Sequence, residues 1–342
     1  MMAENAGIQV LITLPLDDTL IQKLRGVSPR LSINVIPARK AEDILPDVWE
    51  KTEVLYTDIV LPESAIVPNL RWIQFHWAGI DRMVEHPLLE DADVVVTTMS
   101  GASASQMGEY VLTALLALGH HLPAIASAQR NVEWPSDRWE RYLPRELRGS
   151  TVGLIGYGSV GRQVARLLQH FGAVVLAAKH NAMQLEDQGY AAEGLGDPEG
   201  DLPRRIYPYQ ALGTMLKECD FIVLALPLTE ETRGLMDAEV FASVKNGAFL
   251  IDVSRGGIVD QQALIKALRS GKLAGAMLDV FPQEPLPPDN PLWKMPNVFI
   301  TPHISGISRH YDRRAAELFS ENLQRYLVGL PLYKRFLPER GY

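Results

Sequence analysis

Short apolar runs alternate with amphipathic segments along almost the whole chain of 342 residues. This alternation is typical of β-α-β units and predicts parallel sheets with helices packed on their faces. In the first part of the chain, apolar runs predict strands at residues 8–14, 32–36, 54–56, 70–75 and 94–97. Further runs predict a second sheet with strands at 152–155, 174–178, 221–226, 248–252, 275–278 and 298–300. We therefore expect an α/β protein with two doubly wound parallel sheets.

Helical periodicity predicts helices at 17–24, 41–49 and 103–118, and an amphipathic helix at 309–327 that returns to the first domain. Residues 131–149 are rich in Trp, Pro and Arg and lack periodicity, so we interpret them as an arm. Residues 181–209, here called the insertion, contain many glycines and prolines and predict a long irregular segment. Loops of this length are usually functional or mobile, and this one could cover a ligand or contact another subunit.

The most informative motif is Gly156-Tyr-Gly158-Ser-Val-Gly161, which follows an apolar strand and opens a helical pattern. In this context Gly156 allows a tight turn, and Gly158 lets the backbone approach a pyrophosphate. Gly161 lets the helix pack close to the strand. The N–H groups at the helix N-terminus, at Ser159 and Val160, are expected to hold phosphates. The motif predicts a dinucleotide-binding domain.

The end of the second strand of this unit indicates which dinucleotide binds. NAD-binding units carry an acidic residue there, which accepts hydrogen bonds from the ribose 2′-hydroxyl. Here the strand at 174–178 ends in Lys179-His180-Asn181, without Asp or Glu. Lys179 would attract a 2′-phosphate and His180 could donate to it, which favours NADP. NAD is the alternative, with Lys179 as a solvated loop residue.

Three side chains that can carry chemistry follow predicted strands of the second sheet. Arg255 follows the strand at 248–252, Glu284 follows the strand at 275–278, and His303 follows the strand at 298–300. Ligands of open α/β sheets bind beyond the carboxyl ends of the strands, so the three side chains can converge. A guanidinium can hold a carboxylate and polarise a ketone, and a histidine can transfer the proton that accompanies a hydride.

With these motifs in order, the chain resembles the D-isomer-specific 2-hydroxyacid dehydrogenase family over nearly its whole length. Besides the glycine fingerprint, the resemblance is carried by Leu147-Arg-Gly149, Leu226-Pro-Leu-Thr229 with Thr232, Ser254-Arg-Gly-Gly257, Asp279-Val-Phe with Glu284-Pro285, and Thr301-Pro-His303. The resemblance implies two flavodoxin/Rossmann-like domains with the active site in the cleft between them. Residues 1–112 plus 306–342 would form the substrate domain, and residues 113–305 the dinucleotide-binding domain.

The resemblance also implies residue roles. Arg255 would bind the substrate carboxylate and carbonyl, His303 would be the acid/base, and Glu284 would hydrogen-bond His303. Implied substrate-binding residues are Trp77, Ala78, Gly79, Ser100 and Gly101. Further implied cofactor-binding residues are Leu226, Pro227, Thr232, Val253, Ser254, Asp279 and Gly306. Two of these keep a structural alternative, namely core packing for Trp77 and a loop cap for Asp279.

The composition of the chain limits the classes of partner that the protein can bind. The formal net charge of −8 argues against a nucleic-acid or anionic-membrane surface, and no apolar run reaches the length of a membrane span. The single cysteine, Cys219, excludes an internal disulfide and fits a reducing cytoplasm. His120 and His121 lack partners at metal-ligand spacing, so we expect no metal. A homodimer follows from the resemblance alone.

Together these features predict an oxidoreductase that interconverts a small 2-keto acid and its D-2-hydroxy acid with NADPH or NADH. Glyoxylate, hydroxypyruvate and pyruvate are the best candidates. Formate dehydrogenases have an Asn where this chain has Ser103, which disfavours that reaction. The alternatives are an NAD(H)-sensing transcriptional corepressor and a scaffold that uses the fold alone. Retention of Arg255, Glu284 and His303 together argues against the corepressor, and the scaffold predicts no thermal shift when a cofactor is added.

Overall fold

The computed structural model describes residues 7–187 and 189–342, which form two compact units. Unit 1 consists of the described part of Met1–Ala102 together with Ser308–Tyr342, and unit 2 is Ser103–Ile307. A single helix, Ala104–Gly119, runs through the boundary that the sequence analysis placed after residue 112. The structure therefore assigns that helix whole to unit 2.

Unit 1 is built on a five-stranded sheet with the order β2-β1-β3-β4-β5, in which all neighbours are parallel. Its strands are β1 (Ile8–Ile12), β2 (Leu31–Val35), β3 (Val54–Thr57), β4 (Trp72–Phe75) and β5 (Val95–Thr97). Its first helices are α1 (Asp18–Arg25), α2 (Pro46–Lys51) and α3 (Pro87–Glu90). Strands β3 and β4 are buried at every position, as expected for central strands of a sheet covered on both faces.

Unit 2 is built on a seven-stranded parallel sheet with the order β12-β11-β10-β9-β6-β7-β8. Its strands are β6 (Thr151–Ile155), β7 (Val174–Ala178), β8 (Arg205–Tyr207), β9 (Phe221–Leu224), β10 (Ala248–Asp252), β11 (Leu273–Leu278) and β12 (Val298–Ile300). Its helices are α4 (Ala104–Gly119), α5 (Leu122–Arg130), α6 (Arg138–Arg141), α7 (Ser159–His170), α8 (Leu212–Leu216), α9 (Ala238–Ser243) and α10 (Gln261–Arg269).

The strand order of unit 2 determines where ligands can bind. The first strand, β6, lies in the middle, with β7 on one side and β9 on the other. The strand order therefore reverses beside β6, and ligands of doubly wound sheets bind beyond the strand ends at such a switch point. The strands β10, β11 and β12 are neighbours, so their carboxyl ends form one continuous edge.

The last helix, α11 (Tyr311–Leu327), packs in unit 1. The side chain of Asn322 donates to the Gln74 side chain at 3.2 Å, and the Tyr326 hydroxyl donates to Glu53 at 2.7 Å. Eight residues of α11 are buried, in keeping with its amphipathic sequence. The chain thus returns to unit 1 after completing unit 2.

The predicted fold class is confirmed, because both units are α/β structures on parallel sheets. Three local predictions were wrong. The helix expected at 41–49 is divided into a 3-10 turn at Ala41–Asp43 and the helix α2 at Pro46–Lys51. The insertion contains a strand, β8, which pairs with β7, and the arm at 131–149 contains the short helix α6. β8 is three residues long, lies at the sheet edge and begins with the exposed Arg205, so it lacks the apolar run that predicts a strand.

Two further features concern membranes and metals. Within residues 7–187 and 189–342 no single helix is long and apolar enough to cross a bilayer. Only α4 and α5 taken together pass that test, and they are bent by 65° relative to each other. In the same ranges, no group of three or more His, Cys, Asp and Glu side chains has an arrangement that could hold a metal ion.

Candidate functional site

The three expected catalytic side chains follow three neighbouring strands. Arg255 lies three residues beyond the end of β10, and Glu284 and His303 lie in the loops after β11 and β12. The turn that carries Arg255 packs directly on the start of the Glu284 loop. A Cβ atom at Gly256 would collide with the backbone carbonyl of Phe281, so only glycine permits this approach. The strand order and this packing together bring the segments to one edge of the sheet.

Glu284 and His303 are in direct contact. The His303 Nδ1 atom lies 2.8 Å from Oε2 of Glu284, and the other carboxylate oxygen accepts the N–H of Phe281 at 3.0 Å. Both carboxylate oxygens are therefore used, which fixes the orientation of the imidazole. With Nδ1 bonded to a carboxylate, Nε2 is the ring nitrogen that can exchange a proton with a ligand. The His303 side chain is 43% exposed, so a ligand can reach it.

Asp279 organises the loop that carries His303. Its fully buried carboxylate accepts the N–H groups of Ile304 and Ser305, each at 2.9 Å, and the hydroxyl of Thr301 at 2.6 Å. The His303 N–H donates to the Asp279 carbonyl at 3.0 Å. These contacts hold His303 at a φ of +54°, a left-handed conformation that is rare for a non-glycine residue. This is the loop-cap geometry; contact of Asp279 with a cofactor stays a prediction.

A second buried carboxyl group, Asp252, lies at the end of β10 and was not identified from the sequence. Its Oδ1 accepts the N–H of Ser254 at 3.0 Å and the Ser254 hydroxyl at 2.5 Å. Burial raises the pKa of Asp252 to about 7; the Ser254 hydrogen bonds and Arg255 oppose the rise, whereas Asp279 adds to it. Its signal in the sequence was an acidic residue that ends a fully apolar strand.

The fingerprint glycines form a cradle that fits a dinucleotide pyrophosphate. Gly156 has a φ of +98°, and a Cβ atom there would collide with the Ala225 carbonyl. A Cβ atom at Gly161 would collide with the Gly156 carbonyl, because α7 crosses β6 closely. At Gly158, by contrast, a Cβ atom would meet nothing within 4 Å. Gly158 is also the N-cap of α7, so it leaves open space at a helix N-terminus, where anions bind.

The tip of β7 carries the residues expected to read the cofactor's ribose. The Lys179 ammonium group donates to the Gln184 carbonyl at 2.6 Å. The His180 Nδ1 atom lies 2.7 Å from Oε2 of Glu231. Glu231 comes from the segment after β9, about fifty positions further along the chain, so the residues at the strand tip do not reveal it. A carboxylate is thus present beside His180, although β7 itself does not end in one.

The remaining expected cofactor residues surround the same strand ends. Thr232 shapes its own loop, since its hydroxyl donates to the Pro227 carbonyl at 2.7 Å and accepts the Thr229 N–H at 2.8 Å. The carbonyl of Gly306 accepts the Ser103 hydroxyl at 3.2 Å. Three further residues are buried, namely Leu226, Val253 and Ser254. The contact of each with a cofactor stays a prediction.

The expected substrate loop of unit 1 follows β4. Trp77 is 45% exposed and stacks on Tyr311, with ring centroids 5.0 Å apart, so simple core packing does not describe it. The Tyr311 hydroxyl donates to the His76 carbonyl at 2.5 Å, which ties the stacked ring to this loop. The N–H of Met99 donates to the Trp77 carbonyl at 3.2 Å. This bond brings the other expected substrate segment, Ser100 and Gly101, next to Trp77, Ala78 and Gly79.

Comparison with known proteins places this site in a family. Residues 112–305 match the family model "D-isomer specific 2-hydroxyacid dehydrogenase, NAD binding domain". The chain is 33% identical to the glyoxylate reductase of Thermofilum pendens over 84% of its length and 82% of that protein. It is also 33% identical to the (S)-sulfolactate dehydrogenase of Chromohalobacter salexigens, over 76% of this chain and 78% of the relative.

A solved structure agrees with these matches. The D-isomer-specific 2-hydroxyacid dehydrogenase of Xanthobacter autotrophicus Py2, crystallised with NADPH and MES, is 32% identical and superposes with a TM-score of 0.77. The alignment covers 98% of this chain and 100% of that one. The resemblance stated from the motifs is confirmed: the chain belongs to the D-isomer-specific 2-hydroxyacid dehydrogenase family, and it is an NAD(P)-dependent oxidoreductase that acts on 2-hydroxy acids.

Proposed function

We propose that the protein reduces a small 2-keto acid to the D-2-hydroxy acid with NADPH, and that Arg255, Glu284 and His303 carry out the catalysis. The observation that carries this proposal is the 2.8 Å contact between Nδ1 of His303 and Oε2 of Glu284 at the edge formed by β10–β12. Similarity to a glyoxylate reductase supports a small substrate. The same similarity gives no support to a corepressor role.

The proposed chemistry assigns one task to each side chain. The cradle at Gly156, Gly158 and Gly161 would hold NADPH, which would supply the hydride that adds to the carbonyl carbon. His303 donates its Nε2 proton to the carbonyl oxygen, which becomes the hydroxyl of the product. Glu284 keeps the Nδ1–H in place and stabilises the positive imidazole before the proton leaves. Arg255 binds the substrate carboxylate with its planar guanidinium and polarises the adjacent carbonyl.

Unit 1 supplies the remaining contacts to the substrate in this proposal. The backbone N–H groups of Ala78 and Gly79 bind the carboxylate, and Ser100 and Gly101 complete the segment. Trp77 forms a wall beside the side chain of the keto acid. The support is that the indole is half-exposed and stacks on Tyr311, which suits a wall beside a ligand.

The preference for NADPH over NADH is supported by charge at the tip of β7. Lys179 places a cation at this tip, and a cation attracts a 2′-phosphate. The relative from Xanthobacter autotrophicus Py2 was crystallised with NADPH. NADH is the alternative cofactor.

A cytoplasmic homodimer is also part of the proposal. The segment 122–143 of unit 2 exposes large apolar side chains, including Val132 at 93%, Trp134 at 86% and Trp139 at 72%. Such a cluster is costly in water and suits an interface with a second copy of the chain. The only cysteine, Cys219, is buried, and burial raises the pKa of its thiol to about 12, which suits a reduced structural role.

The proposal is tested by steady-state kinetics with glyoxylate, hydroxypyruvate and pyruvate, each with NADPH and with NADH. We expect turnover of at least one keto acid, fastest with NADPH. His303→Asn should lower kcat by about 10²- to 10⁴-fold on every accepted substrate, because the proton donor is lost. Unchanged turnover in the variant would refute the role of His303, and no turnover in the wild type would refute the substrate class.

A further inference from the structure

The insertion is tied to the dinucleotide fingerprint by buried side chains. Arg162, directly after Gly161, is 2% exposed, and its guanidinium donates to the carbonyls of Asp197 and, at 2.5 Å, Leu185. Its Nε atom lies 3.9 Å from Oδ2 of Asp187. A fully buried arginine whose donors meet insertion backbone is expensive to expose and fixes the segment firmly.

Asp197 is the centre of this attachment. It is 3% exposed, and its carboxylate accepts the hydroxyl of Tyr157, the residue between the first two fingerprint glycines, at 2.5 Å. It also accepts the backbone N–H groups of Gly200, Asp201 and Leu202 at 3.2–3.3 Å. The carboxylate therefore holds the turn at 197–202 in one conformation and joins it to the fingerprint.

The same insertion reaches the residue expected to contact the cofactor's ribose. Lys179 donates to the Gln184 carbonyl at 2.6 Å, one residue before the carbonyl that Arg162 holds. Burial lowers the pKa of Lys179, the nearby Arg162 guanidinium lowers it further, and Asp187 opposes both. The position of the ammonium group thus depends on where the insertion backbone lies.

The exposed surface of the insertion does not suit a subunit interface. In its described residues, the large hydrophobic side chains with high exposure are Met183 and Leu185. The segment 122–143 has a much richer set, namely Leu122, Ile125, Val132, Trp134, Trp139 and Leu143. The insertion instead directs its polar contacts inward, to the fingerprint and to Lys179. Of its two expected roles, a wall for the cofactor fits better than a contact between subunits.

We infer that the insertion is part of the cofactor site, and that Asp197 is a positioning residue that holds the Lys179 ammonium where the 2′-phosphate of NADPH binds. This inference rests on the proposed use of NADPH. Asp197 acts through the insertion backbone and does not touch the cofactor. Its effect should therefore be largest on the 2′-phosphate and smaller on the rest of the adenosine moiety.

The test is isothermal titration calorimetry with two fragments, 2′,5′-ADP and 5′-AMP, which differ only in the 2′-phosphate. Asp197→Asn should lower the affinity for 2′,5′-ADP by about tenfold, which corresponds to the loss of one charge-assisted hydrogen bond. It should lower the affinity for 5′-AMP by less than about threefold. Asp201→Asn is the matched control: it makes the same change on an exposed residue four positions away and should leave both affinities unaltered.

A double-mutant cycle shows whether Asp197 acts through Lys179. Lys179→Met should lower the affinity for 2′,5′-ADP. The double variant with Asp197→Asn should bind this fragment almost as well as Lys179→Met alone. Independent, multiplicative losses would overturn the inference, as would an equal loss of both fragments in Asp197→Asn alone. If that variant fails to fold, Tyr157→Phe removes one bond to the same carboxylate and should give a smaller loss in the same direction; no loss would overturn the inference.

The failure of the inference can be separated from the failure of the proposed cofactor. Wild-type protein that binds both fragments equally well lacks a 2′-phosphate site, which overturns NADPH preference and the inference together. Wild-type protein that prefers 2′,5′-ADP, with Asp197→Asn keeping the full preference, overturns only the positioning role.

Discussion

Two groups of strand ends in the unit 2 sheet hold their polar side chains in opposite ways: the ends of β10–β12, here called the catalytic edge, and the ends of β6 and β7, here called the cofactor edge. Beyond β11 and β12, Glu284 and His303 have side chains that are 28% and 43% exposed, and nearby backbone groups fix them. Beyond β6 and β7, Arg162 and Asp197 are almost fully buried in a network of side chains and carbonyls. A proton donor must meet a changing ligand, whereas the wall of a cofactor site only has to keep its shape.

This difference predicts which property of the protein a substitution at each edge should change. At the catalytic edge, a substitution removes a reacting group while the surrounding backbone bonds remain, so the rate should fall and the fold should persist. At the cofactor edge, a substitution disturbs packing or a buried polar network, so affinity and stability should change together. Gly158 is the exception at that edge, because a Cβ atom there meets open space.

The largest effect is expected for Glu284→Gln at the catalytic edge. The amide cannot stabilise a positive imidazole at His303, so kcat/KM should fall by about 10²- to 10⁴-fold while the melting temperature changes little. Kinetics and a thermal melt together check this prediction. Glu239→Gln, on the exposed start of α9, is the control and should match the wild type. A large loss of stability in Glu284→Gln would contradict the proposed division between the two edges.

The fingerprint offers a matched pair of substitutions that sharpens the comparison. Gly161→Ala places a methyl group against the Gly156 carbonyl, so we expect a loss of about 3 kcal/mol in the free energy of unfolding. Gly158→Ala meets nothing within 4 Å and should leave stability unchanged. The same methyl group occupies the space left for a pyrophosphate and should weaken NADPH binding.

Chemical denaturation and NADPH titration of both variants check this pair. The expected pattern is a stability defect at position 161 and a binding defect at position 158. Normal NADPH affinity in Gly158→Ala would show that the open space at the start of α7 is not the pyrophosphate site.

Sequence reasoning predicted features that depend on local order along the chain. The approximate positions of the strands other than β8, the fingerprint and the positions of Arg255, Glu284 and His303 after consecutive strands follow from hydrophobic period and glycine spacing. It missed partners that meet only after folding. Glu231 reaches His180 from a different strand connection, and Asp197 reaches the fingerprint from within a segment without periodicity. Long-range pairing of this kind leaves no periodic signal in one sequence.

The smallest predicted effect concerns Asp252, the buried acid at the catalytic edge. Burial raises the pKa of Asp252 in the folded protein to about 7, well above its ordinary value, so the folded state binds a proton more tightly than the unfolded state. This stabilisation is complete below about pH 4 and is lost as the pH rises through about 7. Asp252→Asn should remove this loss. Between those pH values the free energy of unfolding should therefore decrease less in the variant than in the wild type, and the two decreases should differ by about 1 kcal/mol or more.

Urea denaturation at a series of pH values checks the Asp252 prediction. Asp289→Asn, an exposed residue of the same unit, is the control and should keep the wild-type pH dependence. Parallel stability curves for the wild type and Asp252→Asn would mean that the Asp252 carboxyl does not titrate in this range.

The central claim is that His303 and Glu284 work as one acid, and a double-mutant cycle on kcat/KM tests it most directly. His303→Asn, Glu284→Gln and the double variant are measured with NADPH and the best keto acid. We predict that the double variant is no slower than His303→Asn alone, because Glu284 acts only through the imidazole. Losses that multiply in the double variant would show that the carboxylate contributes independently, and would contradict the claim.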